Sequence, residues 1–304
     1  DFCLSRGLGD VYKRQIYAAL NSMFFYFYNT NLDNTYVKKL LEFGIFTVCI
    51  NCYLILVTTI TQKGDEEKFW GLAERIEKMS KNFVGVKQFN RRMGFKLWFF
   101  ILFFFLCQTL IVIASIIRGE KRKFEIVLAS FTPRLIYWLF TLKFVYYVDV
   151  LTFVLENVHH NLAKQRKITI GDLKQLSKCY SLCWRMSRNL DDIFGWGLVF
   201  TSLLTIIITL QPCFQFSMDL INGDLHFNPL IQLISTLLRA VVVACSCQNC
   251  INKTSEIATT IFAINSKKLH SAVEGLGLQL LQQPIAFEPK DLFVINHANL
   301  ISVI

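Results

Sequence analysis

The feature that most restricts this chain is its succession of long apolar runs. Phe43 to Ile60, Phe95 to Ile117, Pro133 to about Leu155, Ile193 to Phe216 and Leu230 to about Cys250 are five of them. Ile16 to Tyr28 is a shorter one, and Asp291 opens a seventh that is cut at Ile304. Roughly 18 or more apolar residues in a row is the length that crosses a bilayer as a helix. The hydrocarbon offers no partner to an unpaired backbone group, so each span must be helical. A β-barrel is excluded, because barrel strands alternate apolar and polar residues over about ten positions. The sequence therefore predicts an all-α integral membrane protein, a seven-transmembrane helix bundle with its last helix incomplete.

Composition agrees with that reading. Charged residues make up only 18% of the 304 residues, and 28 are Phe; soluble domains carry about a quarter charged residues. The net charge of +10 does not point to nucleic acid, because the basic residues sit between the apolar runs, as cytosolic loops of membrane proteins do. Residues 1–15 resemble translated adapter sequence and carry no signal-peptide layout. They are set aside as a non-native leader, leaving 16–304 as one domain.

Lys and Arg set the orientation. Gln62 to Gly94 holds Lys63, Lys68, Arg75, Lys78, Lys81, Lys87, Arg91 and Arg92, and Glu156 to Asp192 holds another seven. Met218 to Pro229, read as a loop, holds none. The two basic segments and the N-terminus are thus cytosolic. Arg118, Lys121, Arg122 and Lys123 fall on the other side against the rule, and the larger sum decides. Both basic segments also carry helical stripes: Phe69, Leu72, Ile76, Met79 and Phe83 in one, and Leu173, Leu176, Tyr180, Cys183, Leu190 and Ile193 in the other. Asp172 after Gly171 is a plausible N-cap. These stripes need a partner in this chain or another subunit. Glu66 to Phe83, Leu173 to Ile193 and Glu256 to Leu281 are expected to gather into a cytosolic helical bundle that mediates subunit contact.

Chemical motifs are sparse. No P-loop, nucleophile elbow or dinucleotide fingerprint occurs. His159-His160 is a solvated helix end, since a closed ligand set needs more donors. Cys245, Cys247 and Cys250 are packing residues on an apolar helix. Gly275-Leu276-Gly277 marks a helix end or bend. No catalytic residue, metal or cofactor is expected. The polar residues inside the spans carry more information, because a charge at mid-bilayer costs roughly 2.5 to 3.5 kcal/mol on insertion scales. Arg134, Lys143 and Arg239 are intramembrane charges of this kind. Tyr137, Trp138, Gln211, Phe214 and Gln232 combine aromatic walls with amides in the outer halves, the composition of a small-molecule site. Pro212 is placed to bend its helix beside Gln211 and Phe214.

Leu278-Gln279-Leu280-Leu281, then Phe287, then Leu292-Phe293-Val294-Ile295-Asn296 and Leu300-Ile301 resemble the approach to the last helix of insect gustatory receptors. Tyr180, Leu190, Phe194, Gly195 and Leu198, entering the fifth span, are similar as well. The topology matches over most of the chain. The resemblance implies a multi-pass plasma-membrane receptor in the lipid bilayer that senses a small-molecule tastant. It further implies a ligand-gated, non-selective cation channel, a homo- or hetero-tetramer with other receptor subunits. The family's Thr-Tyr and Gln-Phe signature, in the helix that lines the pore, falls after Ile304. A G-protein-coupled receptor is the alternative, disfavoured by the cytosolic N-terminus and the missing Asp-Arg-Tyr and Asn-Pro-x-x-Tyr motifs. A secondary transporter is another, suggested by Lys143 and Arg239 and weakened by the lack of repeats.

The topology is directly testable. Epitope tags at Asp65 and in the Met218 to Pro229 segment are expected to stain oppositely in intact cells, the first only after permeabilisation. Staining of the Asp65 tag without permeabilisation would invert the chain and revive the G-protein-coupled alternative.

Overall fold

The computed structural model describes residues 61–79, 86–117, 121–164, 168–222, 227–264 and 269–295, with positions 53, 55 and 57. The first apolar run, most of the second and the chain from 296 onward lie outside the described residues. The elements are α1 (Lys63–Met79), α2 (Val86–Ile117), α3 (Lys121–Lys164), α4 (Ile170–Asn222), α5 (Phe227–Phe262), α6 (His270–Gln282) and a 3-10 turn, Pro289–Asp291. Among the described residues there is no strand.

Among the described residues, two helices are long and apolar enough to cross a bilayer on length and composition: Arg134–Leu162 within α3 and Leu230–Phe262 within α5. Leu97–Ile113 within α2 is a shorter apolar stretch. Along α2, Trp98, Phe99, Leu102, Phe105, Leu106, Leu110 and Ile113 are all exposed. Such a face is untenable in water but needs no protein partner in hydrocarbon.

The chain packs as two compact units interleaved in sequence. One comprises Asp1–Thr61, Leu97–Leu142 and Gly197–Ala240. Its core is Phe104, Trp138 and Leu142, backed by Leu97, Phe100, Ile101, Phe103 and Leu135. A Cβ at position 197 would overlap the Phe140 ring, so Gly197 lets α3 and α4 approach closely there. Most threonine hydroxyls on these helices that the structure describes are satisfied locally. Thr141, Thr205, Thr209 and Thr236 each donate to the carbonyl four residues back, which removes the cost of an unpaired hydroxyl in a dry setting.

The other unit comprises Gln62–Lys96, Lys143–Trp196 and Val241–Ile304. Here the amphipathic stripes find their partners. Phe69, Ala73 and Ile76 are buried on α1, Leu173, Leu176, Tyr180, Cys183, Met186 and Leu190 on α4, and Val273, Leu276 and Leu280 on α6. Aromatic rings tie the helices together: Phe69 with Tyr147 at 4.9 Å, Phe144 with Phe194 at 5.4 Å and Phe144 with Phe287 at 6.3 Å between centroids. Burial pushes the Cys179 and Cys183 thiols and the Tyr180 phenol up, so all three stay protonated and act as neutral packing groups.

Several local expectations are corrected. Helix α4 begins before Asp172. Thr169 takes the N-cap role: its Oγ1 accepts from the Asp172 N–H (3.3 Å), and Asp172 Oδ2 accepts from the Thr169 N–H (2.8 Å). This is a reciprocal capping box with Asp in the usual Glu position. The segment read as a loop from Met218 to Pro229 is helical to Asn222 and again from Phe227. Pro229 sits in the first turn of α5, where its missing N–H costs nothing. Glu256 to Leu281 is not one helix: α5 ends at Phe262 and α6 starts at His270. Gly275 and Gly277 lie inside α6, not at its end, and a Cβ on Gly277 would meet the Phe262 ring.

The stripe on α4 is covered by its own chain, since Leu176 is only 7% exposed. Leu176→Lys is therefore expected to destabilise the folded chain by roughly 3 kcal/mol, the scale of an unpaired charge forced into a core. Leu278→Lys, at a position 58% exposed, should leave the thermal unfolding midpoint in detergent nearly unchanged. Equal midpoints for the two variants would mean that the stripe is not buried within the chain.

Candidate functional site

The intramembrane polar residues predicted from sequence separate into two groups. The first gathers around Arg239 in α5. This side chain is 6% exposed, and burying a guanidinium is costly unless something compensates it. Its Cζ lies 3.5 Å from the centroid of the Tyr137 ring on α3. Its Nη2 donates to Thr205 Oγ1 on α4 at 3.0 Å. The Tyr137 hydroxyl completes the arrangement by donating to the Thr201 carbonyl, and it lies 2.5 Å from Thr205 Oγ1. Three helices are thus linked through one cation, one ring and one hydroxyl. Among the described residues, no ion pair joins Arg239 to a carboxylate. The aromatic face supplies the compensation, as cation–π contacts do when water is excluded.

The sequence reading singled out Tyr137 and Arg239 separately and missed Thr201 and Thr205. Those two threonines, spaced four apart on α4, are the signal that was available. Trp138 does not join the cluster. One residue further along α3 it is rotated by about 100°, and it packs on Phe104 at 5.7 Å between centroids. Gln232 is half-buried one turn before Thr236, whose hydroxyl donates to the Gln232 carbonyl. Arg134 is half-buried near the beginning of the apolar part of α3. The backbones of Gln211 and Phe214 are in α4, but their side chains lie outside the described residues.

The second group surrounds Lys143, in the other unit. Its ammonium pairs with Glu66 of α1. The Tyr147 hydroxyl donates to Glu66 Oε2 at 3.1 Å, and Trp70 Nε1 donates to the Tyr147 oxygen at 3.3 Å. The Phe194 ring lies 6.0 Å from the ammonium. Lys143 is therefore an ion-paired group within an aromatic box, and Glu66 is a functional partner that lies 77 residues away in sequence. Among the described residues, no cluster of His, Cys, Asp or Glu is arranged to hold a metal.

A third arrangement joins the motif residues of the C-terminal third. The Tyr180 hydroxyl donates to the Gln283 carbonyl at 2.8 Å, and Gln279 Nε2 donates to the Ser177 carbonyl at 3.1 Å. Phe287 and Phe194 both pack on Phe144. After Phe287 the chain turns through Lys290 and Asp291, both with positive φ, and returns so that the Ile295 N–H donates to the Phe287 carbonyl at 2.8 Å. The Lys290 N–H donates to Asp191 Oδ1 at 3.0 Å. A Cβ at position 195 would fall 2.6 Å from that same carboxylate oxygen, so a larger residue there would have to displace it.

The Arg239 cluster makes a direct prediction. Tyr137→Phe keeps the ring and loses the hydroxyl, whereas Tyr137→Leu loses both. In detergent, Tyr137→Leu is expected to lower the unfolding midpoint further, by the equivalent of about 0.5–2 kcal/mol for the lost cation–π contact. Identical midpoints would assign the stabilisation to the hydroxyl alone.

Comparison with known proteins gives two matches of different kinds. The sequence profile of the 7tm chemosensory receptor family matches residues 15–304. No curated protein sequence is matched. Among solved structures, the chain is similar to the insect olfactory receptor OR5 from Machilis hrabei, with a TM-score of 0.59 at 11% identity. That alignment covers 99% of this chain and 84% of the other. The same receptor in complex with eugenol gives a TM-score of 0.60 at the same identity and coverage.

Proposed function

The chain belongs to the 7tm chemosensory receptor family, a family of multi-pass membrane proteins, and from that premise we propose that it is a gustatory receptor. It acts as a subunit of a ligand-gated, non-selective cation channel in the plasma membrane, with a cytosolic N-terminus, opened by small-molecule tastants. The observation that carries the gustatory reading is the motif run Leu278-Gln279-Leu280-Leu281 with Phe287. Phe287 packs on Phe144, which in turn packs on Phe194, another position that resembles that family, and Tyr180, a third, bonds the Gln283 carbonyl just beyond the run.

A second reading is favoured by a specific finding: the similar solved structures are of an olfactory receptor, one holding eugenol. Under that reading the stimulus is a small volatile aromatic. Both readings use the same site, among Tyr137, Trp138, Gln211, Phe214 and Gln232, with apolar walls and a few amides to orient the ligand. Assembly as a homo- or hetero-tetramer fits two apolar residues that α6 leaves uncovered, Leu278 and Leu281, 58% and 75% exposed.

The test is expression of the full-length cDNA in cells lacking other chemoreceptors, with sugars, bitter compounds and volatile aromatics applied in parallel. A tastant-evoked cation current that persists when G-protein signalling is blocked is the expected result. Alanine at Gln211 and Phe214 should then raise the half-maximal concentration about tenfold, the effect of losing roughly 1.4 kcal/mol of binding. Current evoked only by volatiles would move the receptor to the olfactory reading. Dose–response curves unchanged for both variants at full surface expression would place the ligand elsewhere.

A further inference from the structure

We propose that a groove between α1, α4 and α6 binds a small polyanion carrying two phosphate groups, held by Lys178 and Arg185. The groove has a volume of about 500 Å³ and is lined by Met79, Ser177, Lys178, Ser181, Leu182, Arg185, Gln279 and Gln283. It is separate from the ligand site proposed above and adds a second kind of ligand to the receptor. That this ligand is an intracellular one rests on the cytosolic placement of the basic segments.

Charge is the first argument. None of the lining residues is acidic, and two are cationic. Several other cations of the same unit carry their own counter-charge: Arg188 lies by Asp291, Lys290 by Asp191 and Asp192, Lys253 by Glu156 and Glu256. Among the described residues, Lys178 and Arg185 enter no ion pair, and both are exposed to the groove. A concave basic surface without counter-charge focuses anions.

Spacing is the second. Lys178 and Arg185 are seven residues apart, two helical turns, which separates them by about 10 Å along the axis of α4. Ser181 lies between them on the same face and offers a hydroxyl donor. Two phosphates at the spacing of an inositol bisphosphate let each cation hold its own group with the side chains extended in parallel, where a single phosphate would require both to bend together. The ammonium binds phosphate as a point charge, and the guanidinium presents a fork that fits two phosphate oxygens.

Rigidity is the third. The walls are held together by hydrogen bonds that do not use the groove-facing charges. Ser177 Oγ donates to Gln279 Oε1 at 2.5 Å, Gln279 Nε2 donates to Gln283 Oε1 at 3.2 Å and the Tyr180 hydroxyl donates to the Gln283 carbonyl at 2.8 Å. Gln175 Nε2 donates to the Met79 carbonyl, fixing the end of α1 against α4. A site assembled before its ligand arrives avoids the cost of ordering side chains on binding.

The experiment uses the purified receptor in detergent with soluble inositol bisphosphate, and in lipid nanodiscs with and without phosphatidylinositol bisphosphate; inorganic phosphate is the control. Saturable binding of the bisphosphate, weakening as ionic strength rises, is the expected result. The double variant Lys178→Gln, Arg185→Gln should lose about tenfold or more in affinity, and Ser181→Asp, which places a negative charge between the cations, should lose as much. Arg188→Gln, outside the groove, should bind as the parent does. Binding of the soluble form in detergent identifies a free phosphorylated solute as a sufficient ligand, and binding only in the nanodisc identifies a lipid headgroup. Inorganic phosphate binding as tightly as the bisphosphate would overturn the two-point site. So would equal affinity of the parent and both groove variants.

Discussion

Hydrocarbon gives the peptide group nothing to bond to, and the rest of this structure follows from that constraint. Every backbone N–H and C=O inside the bilayer must close on its own segment, which leaves the helix as the local solution. What distinguishes this chain is that the helices do not stop at the membrane boundary. At about 1.5 Å per residue, the 44 residues of α3 extend for roughly 66 Å and the 53 residues of α4 for roughly 80 Å, against a hydrocarbon thickness of about 30 Å. One continuous backbone therefore serves two environments, and the side chains have to change along it. The first part of α4 carries a buried stripe from Leu173 to Leu190 beside charged neighbours such as Lys174, Lys178 and Arg185. From Ile193 onward its sequence is apolar on nearly all faces.

The same constraint sorts the polar residues. A threonine on a dry helix returns its proton to the carbonyl one turn back and asks for nothing further, as Thr141, Thr205 and Thr236 do. A charge has no such local remedy. Lys143 meets Glu66, whose second oxygen is held by Tyr147. Arg239 meets the face of Tyr137 and the hydroxyl of Thr205. Each solution draws on at least two helices, so each charge also fixes how those helices pack. Gln62 and Gln108 are exceptions among the described residues: the Oε1 of each is buried without a hydrogen-bond partner.

The sequence was most legible where one side chain's role depends on its neighbours along the chain. The apolar runs, the stripe on α4 and the helical state of the described residues all follow from periodicity and length. Legibility failed where the deciding partner is remote or where two local signals compete. Nothing near Lys143 announces Glu66, and without it the lysine reads as an unpaired intramembrane charge. Asp172 has the chemistry of an N-cap, but Thr169 is one turn earlier and uses that carboxylate as its own partner. Tyr137 and Trp138 look alike as aromatic wall residues; the helical rotation between them sends one to Arg239 and the other to Phe104. Adjacent positions on a helix are about 100° apart, so the two rings meet different neighbours.

The segment before the last helix shows how a diffuse motif acquires physical content. Phe287, Tyr180, Phe194 and Gly195 are far apart in sequence, and each alone is an ordinary packing residue. Together they define one docking geometry. Phe287 seats against Phe144, which also contacts Phe194. The chain then turns through Lys290 and Asp291 in the left-handed region, a conformation that costs a non-glycine residue on the order of 1 kcal/mol or more and persists only when its surroundings hold it. Asp191 supplies that hold, accepting from the Lys290 N–H and lying 3.7 Å from its ammonium. Gly195 leaves that carboxylate in place, since a side chain there would displace it. The C-terminal run is thereby tied to α4 by the hydrogen bond from the Lys290 N–H to the Asp191 carboxylate.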